Sequence, residues 1–164
     1  MVRFPSGREL PVRRFKWHAD GVDLALVTVG ASGLVRGTDY VCVAFDDGAT
    51  PEQGAEVVAV GAPLGIFEGS MTFGRISAFR EDRLGETGFR WIQTDAAINH
   101  GNSGGPLFLC RQDRYVCIGF NTRKWVEPGV EGLGFAIPAS ILRSNRFSDW
   151  CPASASDVQR LLGN

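Results

Sequence analysis

The sequence contains only two histidines, and it has no cysteine pair of the CxxC type. Both absences argue against a zinc site, because the common zinc patterns combine such pairs with further cysteines or histidines. An excess of either charge is also missing. The 17 Lys and Arg against 18 Asp and Glu leave a net charge of −1, which argues against a nucleic-acid partner. No apolar run approaches the roughly 18–20 residues of a membrane span, so none is predicted.

The first residues also lack the pattern of a signal peptide. Met1–Pro5 leads directly into a predicted turn and strand, without the apolar stretch of a secretory leader. At face value this indicates a cytoplasmic chain. If a leader has been lost from the front of the sequence, the expected location is instead periplasmic or secreted.

Glycine, in contrast, is abundant: 21 of the 164 residues are glycine, against an average of about 7%. Many tight turns between short apolar runs are typical of an all-β protein. The predicted strands are 9–17, 23–29, 55–61, 70–79, 89–94, 106–110, 115–122 and 132–137, with a hairpin turn at Phe4–Arg8. The six strands after Gly54 come at regular spacing and predict a small antiparallel barrel.

Helical patterns occur only near the C-terminus, at Pro138–Arg143 and Ala155–Leu162. The least regular stretch, 30–54, is the predicted junction between two subdomains. We therefore divide the chain into 1–53, a barrel at 54–140 and a helical tail at 141–164.

The four cysteines allow two interpretations. Cys110 and Cys117 flank a polar turn and could form a cross-strand disulfide. Alternatively, all four cysteines are buried thiols that pack as small hydrophobic side chains.

The segment Gly101–Pro106, with the sequence GNSGGP, points most directly to a chemistry. Its serine lies between glycines in a turn that opens into an apolar strand. A serine hydroxyl becomes a useful nucleophile when a tight turn exposes it and directs free backbone N–H groups to a neighbouring point. Small flanking residues permit such a turn and let a substrate backbone approach.

Several segments together resemble the trypsin-like serine proteases, and most closely their HtrA (Deg) branch. The match covers about residues 1–146, and its segments are Ile92–Pro106, Val58–Gly65, Ser70–Ser77, Gly132–Pro138, Ser6–Leu10 and Asp23–Val27. The resemblance implies an all-β, trypsin-like double β-barrel. The second barrel is expected to be complete and the first truncated, and a short C-terminal helix is expected to follow. No peptide-binding PDZ module is expected after the barrels.

The resemblance also implies catalytic roles. Ser103 matches the nucleophile, Asp23 matches the carboxylate of the triad, and the backbone N–H groups of Gly101 and Ser103 match the oxyanion hole. Without the resemblance, the sequence favours a turn residue at Asp23, whose side chain bonds the nearby backbone.

The position that carries an acid in trypsins of basic specificity, six residues before the serine, is Ala97 here. Asp95 lies eight residues before the serine and does not match it. A small, apolar pocket is therefore expected, with cleavage after small aliphatic residues. The residues expected to line it are Ala97, Ile98, His100, Leu133, Gly134 and Phe135.

The histidine of the triad is missing from the matched pattern. In the family it lies upstream of the aspartate, in a segment that would end before Met1. His18 is too close to Asp23 to match it and is expected to be an exposed strand residue, and His100 is expected to line the substrate cleft. The resemblance thus implies a serine endopeptidase domain that is inactive in this chain, either a gene fragment or a natural pseudoprotease that holds peptide without cutting it.

The remaining expectations concern ligands and partners. The family uses no metal and no organic cofactor, and its substrates are peptides or unfolded proteins. Relatives in the HtrA branch are often trimeric, so a homo-oligomer is a further expectation.

Overall fold

The computed structural model describes residues 1–18, 22–30, 32–45, 51–62, 69–81, 89–124, 132–143, 145 and 147–152. By Cα packing the chain forms two compact units, Met1–Cys42 with Asn145–Asn164, and Val43–Ser144. The division at residues 53 and 140 that we inferred from sequence stays a prediction. The helix predicted at 155–162 lies outside the described residues.

The unit Val43–Ser144 is a closed, six-stranded antiparallel barrel. Its strands are β5 (Glu56–Gly61), β6 (Ser70–Glu81), β7 (Arg90–Thr94), β8 (Pro106–Cys110), β9 (Tyr115–Lys124) and β10 (Gly134–Pro138). They follow the order β10-β7-β6-β5-β8-β9 around the barrel. The predicted barrel is confirmed, and all six of its strands form at or near the predicted bounds. The predicted helix at Pro138–Arg143 is a 3₁₀ helix at Ala139–Arg143.

The barrel core consists of the inward-facing residues of each strand. In β8 the buried side chains are Leu107 and Leu109, whereas Phe108 between them is only half-buried, as the two-residue period of a strand requires. The core also contains Val57, Ala59, Ile76, Ile92, Ile118 and Ala136.

The unit Met1–Cys42 with Asn145–Asn164 contains a short strand pair and a three-stranded sheet. β1 (Val2–Arg3) pairs with β2 (Glu9–Leu10) across the predicted turn at Phe4–Arg8, where the Gly7 amide donates to the Phe4 carbonyl at 2.8 Å. The sheet has the order β11-β3-β4, with β3 (Val12–Trp17), β4 (Ala25–Val29) and β11 (Cys151–Pro152).

Two of the strand predictions in this unit were wrong in their bounds. The predicted strand 9–17 is divided at Pro11, which has no N–H to contribute to a ladder. The strand predicted to begin at Asp23 begins at Ala25, because the Leu24 amide turns back to the Val22 carbonyl at 2.7 Å.

The prediction that His18 is an exposed residue was also wrong. His18 is 2% exposed, and its ring makes an edge-to-face contact with Phe147 at a centroid distance of 5.2 Å. Residues 147–148 run beside the end of β3, where the Ser148 amide donates to the Trp17 carbonyl at 2.8 Å. This return of the chain, distant in sequence, covers the imidazole.

Neither interpretation of the cysteines holds. Cys117 lies opposite Phe108, and Cys110 lies opposite Tyr115, so the two sulfurs are not a cross-strand pair. Only Cys117 is buried, whereas Cys110 and Cys151 are half-buried and Cys42 is exposed. Burial raises the pKa of the Cys117 thiol to about 11. It also raises the pKa of Cys110, to which the Glu56 carboxylate adds. Both groups are therefore poor nucleophiles at neutral pH.

A hydrogen-bonded carboxylate connects the first turn to the loop 32–40. Asp39 is 4% exposed, and it accepts hydrogen bonds from the Ser6 hydroxyl and, at 2.7 Å, from the Val35 amide. These two bonds, with a smaller contribution from the charge of Arg8, hold the pKa of Asp39 below its ordinary value. The ionised form is thus the one that stabilises this unit.

Replacing Asp39 by asparagine is expected to lower the free energy of unfolding at neutral pH. It should also reduce the loss of that free energy as the pH falls. Because the folded-state pKa is depressed, the stabilisation is present above the unfolded pKa of about 3.9 and is lost as pH falls through the folded value. Urea midpoints of the parent chain and Asp39→Asn at pH 7, 4 and 3 should therefore converge toward low pH. Exposed Asp149, in the same unit, supplies the matched control Asp149→Asn, and a constant gap for Asp39→Asn across this range would contradict the prediction.

Candidate active site

Ser103 lies in the connection between β7 and β8, on a turn built by two glycines with positive φ. Gly101 has φ of 99° and Gly104 has φ of 83°, a region that side chains other than glycine rarely adopt. The Asn102 amide donates to the Asn99 carbonyl at 3.0 Å, and the Gly105 amide donates to the Asn102 carbonyl at 2.9 Å. Ser103 stands exposed between these two bonds.

The turn is fixed to the barrel by backbone hydrogen bonds on both sides. The Gly104 amide donates to the Asn121 carbonyl at 2.7 Å, and the Asn121 amide donates to the Gly105 carbonyl at 2.8 Å. On the other side, the Ala62 amide donates to the Gly101 carbonyl at 3.2 Å. The position of Ser103 is therefore set by β9 and by the end of β5.

Two buried asparagines strengthen this attachment, and each is 1% exposed. The Asn102 Nδ2 donates to the Ala97 carbonyl at 3.3 Å, and the Asn121 Nδ2 donates to the Pro106 carbonyl at 3.1 Å. Within the described part of the chain, the Oδ1 atoms of both side chains have no donor. An unsatisfied buried acceptor costs about 1–3 kcal/mol, so these amides are held in place at some expense of stability.

Three donors of the turn are not used to build it. The Ser103 hydroxyl donates to the Thr122 carbonyl at 2.6 Å. Among hydrogen bonds between described residues, the backbone amides of Gly101 and Ser103 take no part. A carbonyl oxygen holds a hydroxyl in place but does not take its proton. This arrangement places three donors within one turn, and the bond that the Ser103 hydroxyl makes among the described residues is to a carbonyl oxygen.

The six predicted pocket residues do not share one environment: two are buried, two are exposed and two are half-buried. Ile98 is buried against Gly134 of β10, where a Cβ on the glycine would lie 2.5 Å from Ile98 Cγ1. Ala97 is exposed, and its carbonyl accepts the Thr72 hydroxyl at 2.9 Å as well as the Asn102 amide. His100 is exposed on the loop. Leu133 and Phe135, on either side of Gly134 in sequence, are half-buried.

The other predicted site residue, Asp23, belongs to the other compact unit and is exposed just before β4. Asp95 is engaged on its own side of the loop, since its Oδ1 accepts the Arg75 amide at 2.5 Å. Sequence reasoning missed Asn121 altogether. The only indication of Asn121 in the sequence is that one amide side chain follows the apolar residues of β9.

The described residues contain no group of three or more His, Cys, Asp or Glu side chains placed to hold a metal ion. Nor does any helix among them have the length and apolar character needed to cross a membrane.

A closed six-stranded barrel with an exposed serine on a glycine turn defines a trypsin-like peptidase fold. The family model described as the trypsin-like peptidase domain matches residues 1–118, and the chain belongs to that family.

The curated relatives narrow the similarity to HtrA-type serine proteases. The chain is 38% identical over 124 residues to "Serine protease Do-like HtrB" of Bacillus subtilis, a match that covers 72% of this chain and 25% of the relative. It is 38% identical to "Probable periplasmic serine endoprotease DegP-like" of Pseudomonas putida, over 65% of this chain and 22% of the relative. The chain thus spans about a quarter of the length of these relatives.

Solved structures agree with the sequence comparison. "HtrA-type protease AlgW with decapeptide" matches with a TM-score of 0.62 and 32% identity, over 85% of this chain and 40% of that one. The serine endoprotease from Yersinia pestis matches with a TM-score of 0.57 and 32% identity, over 74% and 38%. The trypsin-like fold and the HtrA resemblance expected from sequence are confirmed.

Proposed function

We propose that this chain is a serine endopeptidase domain of the HtrA type, with Ser103 as its nucleophile. The observation that carries the proposal is the exposed Ser103 hydroxyl, flanked by two amides that the turn leaves unused and held by β9 and β5. In this assignment the amides of Gly101 and Ser103 form the oxyanion hole. Asp23 is the carboxylate that orients the base.

The proposed reaction is acyl transfer through an ester at Ser103. The serine oxygen attacks the carbonyl carbon of a peptide bond, and negative charge develops on the carbonyl oxygen beside the two amides. The serine proton passes to a base and then to the leaving amine as the C–N bond breaks. Water then hydrolyses the ester and regenerates the hydroxyl. Ala97 stands at the position that carries an acid in trypsins of basic specificity, and this favours substrates with small aliphatic residues before the cleaved bond.

We further propose that the chain as it stands lacks the base for this reaction. Its two histidines are His18, buried against Phe147 in the other unit, and His100, exposed on the loop. The Ser103 hydroxyl instead donates to a carbonyl oxygen. Without a proton acceptor, attack on a peptide bond slows by several powers of ten, and only the stabilisation from binding and from the oxyanion hole remains.

A second candidate function follows from the same hydrogen bond. A site that keeps its hydrogen-bond donors but has no base can still hold a peptide without cutting it. The second candidate function is therefore a catalytically silent peptide-binding module. The peptide-bound structures of AlgW support peptide as the ligand class. The periplasmic DegP-like relatives support a location outside the cytoplasm. Homo-oligomer formation stays a further proposal.

An activated ester tests the nucleophile and the base together. We expect p-nitrophenyl butyrate to acylate Ser103, at a rate on the order of 10³ above the uncatalysed background. With no imidazole involved, the logarithm of the rate should rise linearly with pH, at a slope near one, from pH 6 to 9. The measurement combines release of nitrophenol with mass-spectrometric mapping of the acyl group.

Matched variants separate the two parts of the proposal. Ser103→Ala should abolish the acylation, whereas Ser77→Ala on β6 should leave it unchanged. Equal rates in the parent chain and Ser103→Ala would rule out Ser103 as the nucleophile. A rate that levels off near pH 7 would show that an imidazole takes the proton, and would refute the inactivity.

A further inference from the structure

The strand β4 (Ala25–Val29) is an open edge of the sheet β11-β3-β4. Among the described residues it pairs with β3 alone. Natural edge strands are commonly protected from other chains by lysines, prolines or other charged residues, and the sequence ALVTV of β4 contains none of these. At the centre of the strand the Val27 side chain is 53% exposed. The strand thus combines an unpaired edge with an uncharged, largely apolar sequence.

The backbone groups of Ala25 and Val27 point toward this open edge. Trp17 of β3, which lies opposite Ala25, bonds away from β4. Its carbonyl accepts the Ser148 amide at 2.8 Å, and its amide donates to the Ser148 hydroxyl at 3.1 Å. Bonded and unbonded pairs alternate along an antiparallel ladder, so the pair Phe15 and Val27 is also unbonded. The N–H and C=O groups of Ala25 and Val27 are therefore directed away from β3, toward the position of a further strand.

A second copy of β4 fits this position in the antiparallel direction. When a twofold axis passes beside Val27, the valines of the two copies lie opposite each other and exchange both backbone hydrogen bonds. The two exposed side chains then pack as a cross-strand pair of β-branched residues, a kind of contact that stabilises sheets. No like charges come together along the strand, because the residues 25–29 carry none.

Charged side chains near the two ends of β4 complement each other in this arrangement. Asp23 is exposed just before the strand. At the other end the Arg13 side chain lies over Gly30, where its Nε would be 2.9 Å from an added Cβ. Among ion pairs between described residues, neither Asp23 nor Arg13 takes part. Antiparallel pairing centred on Val27 brings the Asp23 end of each copy to the Gly30 end of the other, so opposite charges face each other at both ends.

From this edge and these charges, we propose that the chain forms a twofold-symmetric dimer through β4. The two sheets join into one continuous sheet, with β4 of each copy at its centre. One strand pair is a small interface, so the dissociation constant is expected to be in the micromolar range. The inference goes beyond the proposed function, because neither Ser103 nor a bound peptide takes part. It also gives the Asp23 carboxylate a positively charged neighbour in a chain that lacks the proposed base.

Sedimentation velocity on a dilution series of the full chain tests the dimer. We expect the parent chain to change from monomer to dimer between about 1 and 300 μM. Val27→Lys places two like charges opposite each other and should raise the dissociation constant at least about tenfold. Met71→Lys on β6 is the matched control, since Met71 is similarly exposed at 49% and lies outside the edge. It should leave the dissociation constant unchanged.

Charge reversal tests the register of the two strands. Asp23→Arg or Arg13→Asp alone brings like charges together at both ends of the interface and should weaken the dimer about threefold or more. An equal mixture of the two variants should dimerise about as well as the parent chain, because in the mixed dimer each acidic side chain again faces a basic one. Mixing cannot repair a variant that is merely less stable, so this recovery is specific to contact between two copies.

Several results would overturn the proposal. If the chain stays monomeric throughout the dilution series, β4 does not pair with itself, and only a strand of another protein can cover it. A dimer that survives Val27→Lys and both charge reversals forms through another surface. If Val27→Lys fails to fold by circular dichroism, the mixing experiment decides, and a mixture no more dimeric than its components refutes the register. Acylation of Ser103 is measured separately, so the proposed function stands or fails independently of the dimer.

Discussion

Replacing Gly105 by alanine is expected to destabilise the barrel by about 3 kcal/mol or more. An added Cβ would overlap the Val60 carbonyl oxygen and would lie 3.0 Å from the Asn102 carbonyl oxygen. Both neighbours are backbone atoms of β5 and of the Ser103 turn, and they have no side-chain rotamer by which to move aside. Since a domain is stable by only about 5–15 kcal/mol, this is a large share of the total.

The adjacent glycine supplies the control for this substitution. A Cβ on Gly104 meets no atom within 4 Å, although its φ of 83° is unfavourable for alanine. Gly104→Ala should therefore cost only about 1–2 kcal/mol, the price of a left-handed backbone conformation. Urea midpoints followed by far-UV circular dichroism compare the two variants. Equal midpoints, or a more stable Gly105→Ala, would mean that the turn can move away from β5.

Replacing Ser103 by cysteine is expected to make the site react faster with an activated ester, on the order of 10²-fold at pH 7.5. A thiol has a pKa near 8.5, so a few per cent is already thiolate near neutral pH and needs no base to remove its proton. The serine hydroxyl has no such fraction. The rate for Ser103→Cys should rise with pH and level off near the pKa of the thiol.

The effect of Ser103→Cys on the rate of ester reaction is expected to be opposite in a site with a base and in a site without one. If a base serves Ser103, replacing the serine removes the group that the base is placed to activate, and Ser103→Cys should react more slowly than the parent chain. The measurement needs the background Cys42→Ala, because Cys42 is exposed. Cys117 is buried, with its pKa raised to about 11, and will contribute little.

The barrel could be predicted because its strands carry their own local signals. The run Pro106–Cys110 is apolar and bounded by a glycine turn and a polar turn, and β8 has these bounds. Short β-branched runs such as 56–61 predict buried strands in the same way. The closing of six such strands then follows from their spacing and short turns.

The features that sequence reasoning missed depend on parts of the chain that are distant in sequence. His18 is buried because Phe147 and Ser148 return to the end of β3, which no local pattern indicates. The pairing of Cys110 with Tyr115 rather than with Cys117 depends instead on the turn at 111–114, whose length fixes the register of β8 and β9.

The candidate site likewise has one part that the sequence predicts and one part that it does not. The tight turn could be predicted from the glycines on both sides of Asn102 and Ser103, and the family resemblance indicated Ser103 as its exposed residue. The role of Asn121 could not, because its amide reaches Val60 and Pro106 only once β9 lies beside β8 in the barrel. Local sequence thus predicts where the exposed turn forms, whereas the side chains that support the turn depend on how the strands pair in the closed barrel.

The Ser103 turn leads directly into β8, and this limits the insertions and deletions that the gene can tolerate there. Leu107 and Leu109 are fully buried, at 0% and 1% exposure, and Phe108 between them is not. Deleting or inserting one codon between Ser103 and Leu107 would exchange the inward and outward residues of that strand. Such a change would damage folding and chemistry in one event, so we expect natural variation in length to accumulate in the other connections of the barrel.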